Sequence, residues 1–257
     1  MSIEPTATAV PVKNFASFDG QEIAWREVGE GRPLALLHGL FSDAVTNWIR
    51  FGTAATIAAA GFRVIMPDFR AHGLSAKPHD AAAYPIDVLS RDIEALVAHL
   101  GLSDFDLGGY SLGSRTAVRL IVRGMRPRRL VLAGMGLAGL VESNRRTAWF
   151  LHVIAEPDSF ERGTPGWLAV QFMKTNKIDG EALSHLLRAQ AETTIEAIRA
   201  LATPALIVCG AADQDNGSAP DLAAAMPNAR YAEIPGTHMS SVTMPDLGAA
   251  IAAFLTA

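Results

Sequence analysis

Phe105-Asp106-Leu107-Gly108-Gly109-Tyr110-Ser111-Leu112-Gly113-Ser114-Arg115 runs from an apolar, strand-like segment through Gly-x-Ser-x-Gly into a helix-like one, residues 116–123. A serine on so tight a strand-to-helix turn is held in a strained backbone conformation. Gly109 and Gly113, two residues to either side, let the chain turn without a clash. The hydroxyl of Ser111 is thereby pushed out of the sheet. The following helix points unpaired N–H groups and a partial positive charge at any anion that forms beside it. This is the geometry of a nucleophile. The bland reading is a glycine-rich turn without chemistry. A phosphate-binding loop is a third reading: Gly108 and Gly113 have its spacing, but Ser114-Arg115 stands where that loop needs Lys followed by Ser or Thr.

Outward from this turn, strand and helix patterns alternate. Residues 13–18 and 22–28 flank Asp19-Gly20, a dipeptide that supplies the positive φ angles of a tight hairpin. Residues 34–37 are a continuous apolar run, as a central strand buried on both faces would be, and they end at His38-Gly39-Leu40-Phe41. Residues 48–60 read as a helix closed by Gly61. Residues 62–66 read as a strand running into the polar loop Pro67-Asp68-Phe69-Arg70-Ala71-His72-Gly73-Leu74-Ser75. A helix over 86–100 precedes the Ser111 strand, and 129–133 is a strand after its helix. The alternation predicts an α/β fold: a mostly parallel, twisted sheet of about eight strands with right-handed crossovers and helices on both faces.

The alternation stops at residue 137. From there to residue 200 the pattern is helical, with Trp149, Phe150, Phe160, Trp167 and Phe172 but no clear strand. Because this segment begins and ends on the sheet, it reads as a helical cap inserted after the sixth strand rather than as an independent domain. The core is then 1–136 with 201–257, and the cap is 137–200. The strand at 205–209 leads to Asp213, a helix covers 219–226, a last strand 230–234 leads to Gly236-Thr237-His238, and 245–255 is the closing helix. Gly134-Met135-Gly136-Leu137-Ala138-Gly139 matches a dinucleotide fingerprint, yet no second strand ending in an acidic residue follows about twenty positions later. Nicotinamide and flavin are therefore not expected.

A chain of 257 residues with 49% apolar content fits a globular protein with a sizeable core. The net charge of −4 and the dispersed basic residues argue against a nucleic-acid surface. No leader-like segment opens the chain, and no run approaches the roughly eighteen apolar residues of a membrane span, so a cytoplasmic protein away from membranes is expected. The single cysteine, Cys209, lies in an apolar strand and reads as a buried thiol. No His, Cys or carboxylate cluster has metal-ligand spacing, so no metal is expected.

Ser111, Asp213 and His238 each stand just past the C-terminal end of a strand, and in a parallel sheet those ends share the edge where such folds bind ligands. Their order, Ser then Asp then His, is that of a hydrolase elbow. Ser111 would attack, His238 would take its proton, and Asp213 would fix the imidazole tautomer and stabilise the cation. Asp106, about 16 Å upstream along an extended strand, is too far away for the acid's role. Asp215 lies deeper in the same loop as Asp213, where an Asp more often shapes a turn or caps a helix.

With these residues in place the chain resembles the α/β-hydrolase family, in its cap-bearing branch of small bacterial esterases and related serine hydrolases. The resemblance rests on His38-Gly39, the loop from Asp68 to Ser75, Gly109-Tyr110-Ser111-Leu112-Gly113, Gly210-Ala211-Ala212-Asp213 and Gly236-Thr237-His238. It implies an oxyanion hole made by the backbone N–H groups of Leu112 and Leu40. Phe41, Tyr110 and Met135 beside the motifs, with Trp149 and Phe150 of the cap, are the expected substrate contacts. His38 and His72 are expected to brace loops rather than to do chemistry. Ala71 and Thr237 depart from the family's usual residues, and the triple-glycine oxyanion loop of many lipases is absent, which argues against bulky tertiary-alcohol esters.

The implied function is hydrolysis of small to medium carboxylic esters, without a cofactor, through an acyl-enzyme on Ser111. The same triad resembles those of C–C bond hydrolases, lactonases, perhydrolases and hydroxynitrile lyases, and a hydrolase-fold small-molecule receptor is a reading of a different class. Epoxide hydrolysis and dehalogenation are excluded, because both use a carboxylate nucleophile where this chain has Ser111.

Overall fold

The hairpin expected around Asp19-Gly20 opens the sheet: β1 (Lys13–Ala16) pairs antiparallel with β2 (Glu22–Val28), with Phe15 opposite Ile23. The computed structural model describes residues 10–257, apart from the side chain of Ser143. The strands that follow are β3 (Arg32–Leu37), β4 (Phe62–Pro67), β5 (Asp106–Tyr110), β6 (Leu130–Ala133), β7 (Ala205–Gly210) and β8 (Ala229–Ile234). They form one eight-stranded sheet in the order β1-β2-β4-β3-β5-β6-β7-β8, in which every pair from β4 onward is parallel. The chain winds outward from β3 in both directions, and β5 lies beside β3 at the reversal.

Alternating side chains divide the core between the two faces of the sheet. Ala35, Leu37, Leu107, Leu130, Leu132 and Ile207 face α2 (Val88–His99) and α3 (Leu112–Val122). Leu34, Leu36, Val64, Met66, Val131 and Val208 face Trp48, α1 (Thr53–Ala59) and α10 (Pro245–Thr256). Burial on both faces is why these strands read as continuous apolar runs. The helix expected over 48–60 is in fact two pieces. A π-helical turn, Val45–Ile49, ends with the Arg50 N–H bonded five residues back to Val45 O at 2.8 Å. Gly52, at φ 80°, then breaks the axis before α1 begins. The apolar period is continuous across this break, so it carries no sign of it.

Between β6 and β7 the chain makes α4 (Leu137–Val141), α5 (Ser143–Ala155), α6 (Pro165–Thr175), α7 (Gly180–Arg188) and α8 (Ile195–Arg199), and no strand. Thr164, Asp179 and Thr194 accept hydrogen bonds from the first turns of α6, α7 and α8 and so fix where these helices start. Leu140, Leu183, Leu186, Leu187 and Ile198 of this insertion share one apolar cluster with α2 and α3. The Gly134–Gly139 turn that leads into it is packed against the loop before α9 (Ala219–Ala225) rather than open to a nucleotide. A Cβ at Gly136 would lie 2.1 Å from Gly217 O, and one at Gly134 would lie 2.6 Å from the Tyr110 ring. Among the described residues, no helix is long and apolar enough to cross a membrane.

Arg70 is fully buried away from these clusters and is matched by two carboxylates. Its Nε and Nη2 donate to Asp92 at 3.0 and 2.7 Å, and its Nη1 and Nη2 donate to Asp19 at 2.6 and 2.9 Å. The network ties the β1–β2 hairpin to α2 and to the loop after β4. Removing one partner of a buried pair leaves the other uncompensated. Arg70→Met is therefore expected to lower stability by about 3–5 kcal/mol, read from the urea midpoint at unchanged m-value. A loss under about 1 kcal/mol would show that Asp92 finds water or another donor instead.

Candidate active site

The loops after β3, β4, β5, β7 and β8 meet at one edge of the sheet, where all five strands present their C-terminal ends. Ser111, between β5 and α3, has φ 53° and ψ −110°, a conformation of order 1–3 kcal/mol above the common ones. The packing around it leaves no alternative. A Cβ at Gly113 would lie 2.0 Å from Leu37 O, and one at Gly109 would lie 2.2 Å from the Gly113 carbonyl carbon, so both flanking positions must be glycine. Ser114 Oγ donates to Gly109 O at 2.7 Å and closes the turn.

His238 Nε2 lies 3.1 Å from Ser111 Oγ, and its Nδ1 lies 2.8 Å from Asp213 Oδ2. With Nδ1 protonated toward the carboxylate, Nε2 is left as the acceptor facing the serine hydroxyl. Asp213 is buried, which alone would raise its pKa. The hydrogen bond and charge of His238, the Asp215 N–H at 3.1 Å and the Cys209 thiol together outweigh that and hold its carboxyl below the usual range. Burial, with the charge of Asp213 second, pushes the Cys209 thiol up to about 12, so it is a donor and not a thiolate. Asp106 sits at the other end of β5, paired with Arg32 at 2.7 Å. Asp215, at the edge of the cavity over Ser111, pairs with Arg146 at 3.0 Å.

The loop after β3 is held from three directions. Asn47 Oδ1 accepts the Gly39 N–H at 2.9 Å, His72 Nε2 accepts the Phe41 N–H at 3.3 Å, and Asp68 Oδ1 accepts the Ala44 N–H at 2.9 Å. His38 Nε2 accepts the Phe69 N–H at 2.9 Å and locks the two loops together. Phe41 is at φ 60°, a conformation a side chain seldom adopts, and its bond to His72 helps hold it there. Among the described residues, the N–H groups of Leu40 and Leu112 are committed to no other acceptor and remain available beside Ser111. The role of His72 toward Phe41 is not legible in the sequence, since it depends on a contact between separate loops.

A cavity of about 730 Å³ opens over Ser111 and His238. Phe41, Tyr110, Trp149 and Phe150 line it as the sequence suggested, and Leu168, Phe172 and Met239 join them. Met135 does not. It is fully buried in the core below, because the tight packing of Gly136 and Gly139 on the 216–217 turn draws the chain inward at that point. Tyr110 also braces the site: its hydroxyl donates to His238 O at 2.6 Å and pairs with Ser241 Oγ at 2.9 Å, which anchors the histidine loop to β5.

The family model for the alpha/beta hydrolase fold matches residues 32–169, and the chain belongs to that family. A dihydrolipoyllysine-residue acetyltransferase component of an acetoin cleaving system from Pseudomonas putida is 38% identical over 136 residues, 52% of this chain and 35% of that protein. A non-heme haloperoxidase from Rhodococcus erythropolis is 36% identical over 107 residues, 41% of this chain and 36% of that protein. The matched stretches thus span little more than a third of these relatives' own lengths. A solved hydrolase from Pseudomonas aeruginosa PA01 superposes with a TM-score of 0.73 at 24% identity, covering 96% of this chain and 98% of that one.

Burial, with the neighbouring His38 as the second cause, pulls the imidazole of His72 down to about 3, far below the roughly 6.5 of an unfolded histidine. Burial likewise depresses His38. Between those values the unfolded chain binds protons that the folded chain does not, so stability falls as pH drops from about 6.5 toward 3. His72→Gln, whose amide oxygen can still accept from Phe41, is expected to flatten the dependence of unfolding free energy on pH near pH 5 by about 1.4 kcal/mol per unit, one proton's worth. Parallel slopes for wild type and variant would mean that His72 titrates normally.

Proposed function

We propose that this protein is a serine hydrolase that cleaves carboxylic esters without a cofactor, with Ser111 as nucleophile, His238 as general base and acid, Asp213 as its orienting carboxylate, and the 137–200 insertion as a cap over the substrate. The supporting observation is the continuous hydrogen-bonded chain from Ser111 Oγ through His238 to Asp213 at the floor of the cavity, with the free N–H groups of Leu40 and Leu112 beside it. On this reading Ser111 Oγ attacks the ester carbonyl as its proton passes to His238 Nε2. The negative charge on the carbonyl oxygen is met by two backbone donors that need no reorganisation. His238 then gives that proton to the departing alkoxide, and water repeats the sequence on the acyl-enzyme. Asp213 keeps Nδ1 protonated and offsets the imidazolium charge while it exists. The apolar walls of the cavity suit the less polar part of the ester and exclude water from the charged intermediate.

Ser111→Ala is expected to keep the fold and lose roughly 10⁴- to 10⁶-fold in turnover of a short-chain 4-nitrophenyl ester. Near-wild-type turnover in a folded variant would sink the mechanism. Asp213→Asn is expected to lower kcat by roughly 10³ to 10⁴ through the wrong tautomer, whereas Asp215→Asn costs less than about tenfold. The reverse ranking, measured on one ester, would move the acid's role to Asp215.

A further inference from the structure

A second recess, of about 20 Å³, adjoins the catalytic cavity. The two share Leu40, Ser111, Arg146 and Phe150, and the recess is closed by Leu112, Arg115, Thr147 and Leu187. Arg115 lies one helical turn after Ser111 on α3, and helical side chains lean back toward the N-terminus, which here is the nucleophile. It is only 6% exposed. Its Nε donates to Gly139 O at 3.2 Å, and it makes no ion pair among the described residues. A guanidinium has five N–H donors, and the other four have no protein partner among the described residues. Burial, with the charge of Arg146 second, pulls its pKa down to about 10, which leaves it charged at neutral pH.

The contrast with the other buried arginine is informative. Arg70, away from the site, is matched by two carboxylates. Arg115, beside Ser111, makes no ion pair among the described residues and feels the charge of Glu192 less than that of Arg146, whose own partner is Asp215. No acidic side chain lines the recess. An uncompensated buried charge is costly unless something binds it.

We propose that Arg115, with Arg146 at the rim, is a subsite for a carboxylate on the acyl part of the substrate, so that the ester cleaved is a half-ester of a short dicarboxylic acid. This rests on the serine-hydrolase reading and narrows it. The recess has room for about one water-sized group, which suits the leading oxygens of a planar carboxylate held by a guanidinium fork better than a four-oxygen phosphate. With the acyl carboxylate at the recess, the larger cavity is left for the leaving alcohol. Four residues of helix advance about 6 Å, so a carboxylate two or three carbons from the scissile carbonyl, as in succinyl or glutaryl esters, spans from Ser111 to Arg115.

The experiment compares methyl hydrogen glutarate with methyl pentanoate by pH-stat, and measures free glutarate as an inhibitor and by thermal shift. Wild type is expected to prefer the half-ester at least tenfold in kcat/KM. Arg115→Met should cut that preference at least tenfold, chiefly through KM, and raise the inhibition constant of glutarate in step, while Arg115→Lys retains part of both. A structural brace to Gly139 would instead reduce activity on both esters alike. An unchanged preference in the folded variant, or no binding of glutarate to wild type, overturns the subsite even where methyl pentanoate is cleaved. Binding of glutarate that depends on Arg115, with neither ester cleaved, keeps the subsite and overturns the ester reading. If Arg115→Met fails to fold, the wild-type preference, the glutarate shift and the Lys variant still decide.

Discussion

Position 113 has no room for a methyl group: a Cβ there would sit 2.0 Å from the carbonyl oxygen of Leu37, on the neighbouring strand. This contact sets how closely α3 packs on β3 and β5, and with it the sharpness of the turn that holds Ser111 at φ 53°. A Cβ at Gly109 would likewise lie 2.2 Å from the carbonyl carbon of Gly113. The strain at Ser111 persists because the sheet pins the turn at both ends, and the Ser114 hydroxyl closes it from within. The helix N-terminus and Ser111 thus share one corner by steric necessity.

The two loops beside that corner are held by acceptors rather than by apolar packing. His38, His72 and Asp68 each take a backbone N–H from the neighbouring loop, and Asn47 takes one from its own segment. For the histidines this demands a neutral, unprotonated Nε2, which burial enforces. A loop stapled in this way presents the Leu40 N–H from a fixed position, and a donor fixed before charge develops costs nothing to reorganise. Tyr110 does the same for the third loop by holding the His238 carbonyl from the strand that carries Ser111.

Charge in the interior follows two patterns. Far from the cavity, Arg70 is enclosed by Asp19 and Asp92 and joins three elements of the fold. Next to Ser111, Arg115 meets one backbone carbonyl and no ion-pair partner among the described residues. Sequence spacing does not separate these cases, because both are single arginines in motif-like stretches. Only the positions of the carboxylates in space separate the ion-paired arginine from the one without an ion pair.

Local chemistry and periodicity determined much on their own. The Asp19-Gly20 hairpin, the apolar runs of β3 to β7, the glycines around Ser111 and the strand-end positions of Asp213 and His238 each follow from rules acting over a few residues. Those rules sufficed for the α/β sheet and for the order of the candidate triad. They failed where distant segments decide the outcome. The break at Gly52 lies inside an unbroken apolar period, Met135 is drawn into the core by the packing of Gly136 on Gly217, and His72 acts on a loop remote from it in sequence. The distance from His238 to Ser111 and Asp213, the cavity above them and the unpaired state of Arg115 belong to the tertiary structure alone. Each is a relation between groups that the chain brings together only by folding, and no pattern within a single segment encodes it.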